Sequence, residues 1–76
     1  MQFAQYDVVK IVCFLTEKHV QTDVFNKRKP HVGDVAAIIE IYTDPLGYEL
    51  ECCDEQGITE WMIGFGPDEI ELELVK

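Results

Sequence analysis

Seventy-six residues leave room for one domain, spanning 1–76, and 47% hydrophobic residues with four Phe, three Tyr and one Trp suffice for one core, which excludes a disordered chain. The net charge of −9 is unevenly placed: residues 1–33 carry five Lys and Arg against three Asp and Glu, whereas residues 34–75 carry twelve Asp and Glu and no Lys or Arg. Such a surface repels phosphate backbones and offers no basic stripe, so nucleic acid ranks last among the partner classes.

In chain order, Tyr6 to Leu15 reads as a first strand, with Val9, Ile11 and Cys13 on one face and Val8, Lys10 and Val12 on the other. Its Val, Ile, Phe, Tyr and Cys favour a strand, and it lacks the Ala and Glu that fill a good helix. Thr16 to His31 loses the pattern and predicts a long loop, with a short irregular hairpin around Val24-Phe25 and a basic knot at Lys27-Arg28-Lys29 before Pro30. Gly33-Asp34 then opens a meander. Val35 to Tyr42 is a strand in which the adjacent Ile38 and Ile39 require a bulge or burial on both sides. Asp44-Pro45-Leu46-Gly47 reverses the chain, and Tyr48 to Cys53 alternates, Tyr48, Leu50 and Cys52 inward and Glu49, Glu51 and Cys53 outward. Asp54-Glu55-Gln56-Gly57 is the next tight turn, with Gly57 supplying a positive φ. Ile58 to Phe65 sets Trp61, Ile63 and Phe65 against Glu60, Met62 and Gly64. Gly66 to Glu69 is a short turn or a single helical turn begun at Pro67, after which Ile70, Leu72 and Leu74 face inward and Glu71 and Glu73 outward.

Five strands with one long early loop, short middle turns and a brief insertion before the last strand are the plan of an all-β, Src-homology-3-like (SH3-like) barrel. On Tyr6-Asp7-Val8-Val9, Gly33-Asp34-Val35, Glu40-Ile41-Tyr42, Tyr48-Glu49-Leu50-Glu51, Asp54 to Gly57 and the acidic turn before Ile70, the chain resembles a small bacterial family of such barrels, a domain of unknown function. The resemblance implies the fold and brings no activity with it. Gly33-Asp34-Val35 also looks like the start of a motif of ribosomal and transcription-factor barrels, but Ala36 stands where a second glycine usually follows.

No enzymatic signature overlies these strands: there is no phosphate-cradling loop, nucleophile elbow or Ser-His-Asp set, and the carboxylates fall on the solvent side of the alternation. No catalytic residue, cofactor or metal is expected. Cys52 and Cys53 are neighbours on a strand, point to opposite faces and cannot easily chelate one ion, so Cys52 reads as core and Cys53 as an exposed thiol. His19 and His31 flank the long loop without convergent ligands. Three cysteines without scaffold spacing, no basic leader and no apolar run of about 20 residues suggest a cytoplasmic protein with no membrane segment. Trp61 is expected to anchor the core, while Tyr42, on the same face as Ile38 and Glu40, forms a small surface patch with Met62.

These residues favour a non-enzymatic protein-interaction module whose partner is basic, in concrete form a neutraliser or immunity-like protein that covers a basic site. Its contact residues would be Glu49, Glu51, Glu71 and Glu73 on the strands, Tyr42, and the loop residues Lys27, Arg28 and Lys29. The basic knot alternatively is a mobile loop tip, or docks against the acidic strands within the chain or in a symmetric dimer. The competing reading of the whole is a self-associating structural or accessory domain that pairs through an uncovered sheet edge.

Overall fold

The β-branched and aromatic runs of the chain form five strands: β1 (Val8–Phe14), β2 (Val35–Thr43), β3 (Leu46–Cys53), β4 (Thr59–Phe65) and β5 (Ile70–Leu74). The computed structural model describes residues 3–17, 22 and 26–75, and no helix occurs among them. All neighbouring strands are antiparallel, in the order β4-β3-β2-β1-β5. Four consecutive strands, each paired with the next, followed by a last strand that returns beside the first make this a small SH3-like barrel. Of the long loop expected at Thr16 to His31, the described residues 16–17, 22 and 26–31 form no strand or helix, and its Val24-Phe25 hairpin and His19 lie outside the described residues.

Alternation along each strand builds the core. Val9, Ile11, Ala36, Ile38, Tyr48, Leu50, Cys52, Trp61, Ile63, Phe65 and Ile70 are buried, with Phe3, Ile41 and Leu72 packed against them. Trp61 is fully buried and meets Phe65 edge to face. Burial of each large apolar side chain contributes roughly 1.5–3 kcal/mol. Leu74, expected inward, is 51% exposed because it stands opposite Val9 at the end of the last ladder, with little core left above it.

Three one-residue bulges change which side chains share a face. Pairing shifts from Ile11↔Leu72 to Cys13↔Glu71, which makes Val12 the extra residue. Cys13 therefore leaves the face of Val9 and Ile11, its thiol donating to Glu71 Oε1 at 3.6 Å, and Phe14 turns inward, opposite Ile70 and against the Phe65 ring. Between Ile38↔Leu50 and Glu40↔Glu49 the extra residue is Ile39. Ile38 thus faces the core, while Glu40 and Tyr42 lie on the opposite face, which corrects the expected sharing of a face by Tyr42 and Ile38. The third bulge makes Glu60 the extra residue between Cys52↔Trp61 and Cys53↔Thr59.

Turns also tighten the expected bounds. Tyr6 adopts φ 75°, so the extended backbone begins only at Val8, and β1 closes at Phe14, before Leu15 donates its amide to Glu69 O at 2.9 Å. The β2–β3 turn contracts to Asp44-Pro45, joined by a cis peptide, and Ile58 falls in the turn before β4. Gly57 has φ 81° as expected, and the Asp54 carboxylate accepts from the amides of Gln56 and Ile58. Before β5 the chain makes a turn in which Glu69 donates its amide to Gly66 O and accepts from the Gly66 amide at Oε1.

Candidate functional site

The end of the long loop is tied over one end of the barrel. Asn26 Oδ1 accepts from the Met62 amide at 2.8 Å, and the Lys27 amide donates to Glu60 O at 2.8 Å, so the loop runs along the outer edge of β4. Arg28 then turns inward. It donates from Nη1 and Nη2 to the Asp34 carboxylate at 2.8 and 3.2 Å, from Nε and Nη2 to Glu60 Oε1 at 3.0 and 2.7 Å, and from Nη2 to Cys52 Sγ at 3.7 Å. The bulge at Glu60 is what frees that carboxylate to reach over the edge. Asp34 is the hub: its Oδ2 also accepts from the buried Trp61 indole N–H at 3.1 Å and from the His31 amide at 2.8 Å. The indole, which must find an acceptor when buried, finds it here.

The electrostatics follow from these bonds. Hydrogen bonding to Asp34 raises the Arg28 pKa further above neutral, burial opposes the rise, and Glu60 adds to it. Burial pushes Asp34 upward, but donors from Arg28, His31 and Trp61 outweigh it and hold its pKa below the ordinary value. Of the basic knot, Arg28 docks within the chain, whereas Lys27 and Lys29 are exposed and make no ion pair among the described residues. Asp34, Glu60 and Asn26 were not singled out from the sequence; the one available signal was a core Trp whose N–H required a partner.

The predicted acidic residues separate into two groups. On the outer face of β2, β3 and β4, Glu40 stands directly opposite Glu49, Tyr42 donates its hydroxyl to Glu49 Oε1 at 3.2 Å, and Glu51 accepts from the Thr59 hydroxyl. Gly64 lies opposite Glu49, and a Cβ there would meet the Glu49 carboxylate at 3.2 Å, so this carboxylate lies flat across the sheet. Met62 pairs with Glu51 on the same face. The charge of Glu49 raises the Tyr42 pKa, as does the hydrogen bond between them. Glu71 and Glu73 lie on β5, separated from β3 by β2 and β1, where Glu71 receives the Cys13 thiol and Glu73 lies 3.7 Å from Lys10 Nζ. Thus Glu49, Glu51 and Tyr42 are brought together, and Glu71 and Glu73 form a second, separate pair.

Cys52 is buried and Cys53 exposed, on opposite faces as expected, and all three cysteines are free. Burial raises the pKa of each; nearby acid adds to this, from Asp34 at Cys52, Glu51 at Cys53 and Glu71 at Cys13, so all three favour the thiol over the reactive thiolate. Among the described residues no group of three or more His, Cys, Asp or Glu is arranged to hold a metal, and no helix is long and apolar enough to cross a membrane. Neither a protein-family model, nor a curated protein, nor a solved structure matches this chain.

Proposed function

We propose that this barrel is a non-enzymatic protein-interaction module whose partner is basic, of the kind that neutralises or shields a cationic site on another protein. The observation that carries the reading is the pair Glu40 and Glu49, set directly opposite each other beside Tyr42 and Glu51, with no Lys or Arg in the chain from Asp34 to Val75. Like charges facing across a sheet oppose its pairing, so the face carries a cost to folding that a cationic partner removes. Tyr42, 49% exposed and held by Glu49, adds an aromatic contact suited to a guanidinium or ammonium group.

The test compares the immobilised protein with two variants, Glu49→Gln/Glu51→Gln and Glu71→Gln/Glu73→Gln, as baits in native lysate. A basic protein retained by wild type, released as salt rises and lost from either variant supports the reading and tells which acidic group makes the contact. Retention that ignores both salt and neutralisation would defeat it.

A further inference from the structure

The two edges of the sheet are treated differently. The outer edge of β4 is covered by Asn26 and Lys27, whereas among the described residues nothing bonds the outer edge of β5. The Val75 amide donates to Val8 O and the Leu15 amide to Glu69 O, at 2.8 and 2.9 Å. The alternation of an antiparallel ladder between these two bonds places Glu71 and Glu73 in the hydrogen-bonded positions facing β1. The backbone N–H and C=O of Ile70, Leu72 and Leu74 therefore point away from the sheet. Beside this strand runs an apolar groove of about 300 Å³ lined by Phe3, Leu15, Tyr48, Pro67, Ile70 and Leu72, with Glu71 at its rim.

An open edge beside an apolar groove suits an added strand, and charge decides which strand. A second copy pairing β5 with β5 about a two-fold axis, with both cores on one side of the sheet, sets Glu against Glu: Glu71 opposite Glu73 of the other copy when centred on Leu72, Glu71 opposite itself and Glu73 opposite Glu69 when centred on Glu71, and Glu73 opposite itself when centred on Glu73. A strand with Lys or Arg at alternate positions instead places cations beside Glu71 and Glu73 and turns its apolar residues toward the groove. We infer that the open edge of β5 receives an extended segment of the partner protein, alternating basic and apolar residues, as an added antiparallel strand. This rests on the reading of the partner as basic and assigns its extended segment to the edge of β5, a contact separate from the face of Glu40 and Glu49.

The probe is a short blocked synthetic peptide alternating Lys and Val, with its Glu and Val counterpart as control, followed by amide resonances and hydrogen exchange of the intact protein. The expected result is that the Lys-containing peptide alone protects the amides of Ile70, Leu72 and Leu74. Leu74→Pro removes one outward donor without breaking the ladder to β1 and should weaken binding about fivefold. Glu71→Lys/Glu73→Lys should reverse the preference between the two peptides. Shifts centred on Glu40, Glu49 and Glu51 would overturn the β5 assignment while leaving a basic partner in place. Protection of the same amides without peptide in a concentration-dependent dimer would assign the edge to a second copy, and no binding up to about 1 mM would also sink the inference.

Discussion

At the scale of single residues, Asp34 matters more than its place in a turn suggests. It accepts from a buried indole, a backbone amide and a guanidinium, so its removal leaves the Trp61 N–H without a partner and Arg28 with Glu60 as its remaining carboxylate. Asp34→Ala should cost about 2–3 kcal/mol by chemical denaturation, more than Arg28→Ala, which leaves the indole bond intact. Arg28→Lys should not restore wild-type stability, because one ammonium cannot reproduce a fork that reaches two carboxylates. The sign of the pH effect follows from the lowered Asp34 pKa. Unfolding returns the carboxyl to near its ordinary 3.8, so the stabilisation is complete above that value, shrinks as the pH falls below it and disappears below the folded pKa. The stability gap between wild type and Asp34→Asn should therefore narrow on acidification below about pH 4. A gap that stays constant there would show that Asp34 acts by shape instead of charge. Tyr6 is a different case: 73% exposed at φ 75°, it carries backbone strain, and Tyr6→Asn should stabilise the fold by about 0.5 kcal/mol.

Elements were legible wherever period two ran undisturbed. β3 has the faces its sequence predicts from Tyr48 to Cys53, and in β4 Trp61, Ile63 and Phe65 face the core. In β1 and β2 the reading failed past one point, because a bulge adds a residue and inverts every face beyond it. The adjacent Ile38 and Ile39 announced the second bulge, but Val12 gave no such sign, and so Cys13 and Phe14 exchanged places. The Ile39 bulge is also what aligns Glu40 with Glu49. Replacing that like-charge pair by an opposite one, Glu40→Lys, should stabilise the β2–β3 hairpin by about 0.5 kcal/mol, or roughly 2–4 °C in melting temperature. An unchanged or lower melting temperature would mean that the two carboxylates do not sense each other across the sheet.

For the whole molecule, the net charge of −9 sets self-repulsion against a few internal ion pairs. Raising NaCl from about 10 to about 100 mM shortens the screening length from about 30 to about 10 Å, and should raise the melting temperature because dispersed repulsion is screened more than the partly buried Arg28 pairs. A fall would instead show that those pairs dominate. The sequence by itself determined that the chain is all-β, where its turns lie, which alternating residues make most of the core and that acid is concentrated after Gly33. These are local properties, set by side-chain period, turn chemistry and composition. Only the tertiary structure decided that Arg28 is held between Asp34 and Glu60, that Asn26 and Lys27 cover β4 while among the described residues nothing bonds the outer edge of β5, and that Glu49 and Glu51 are separated from Glu71 and Glu73. Each of these depends on strand order or on a bulge, which bring together residues far apart in the chain and which no local pattern encodes.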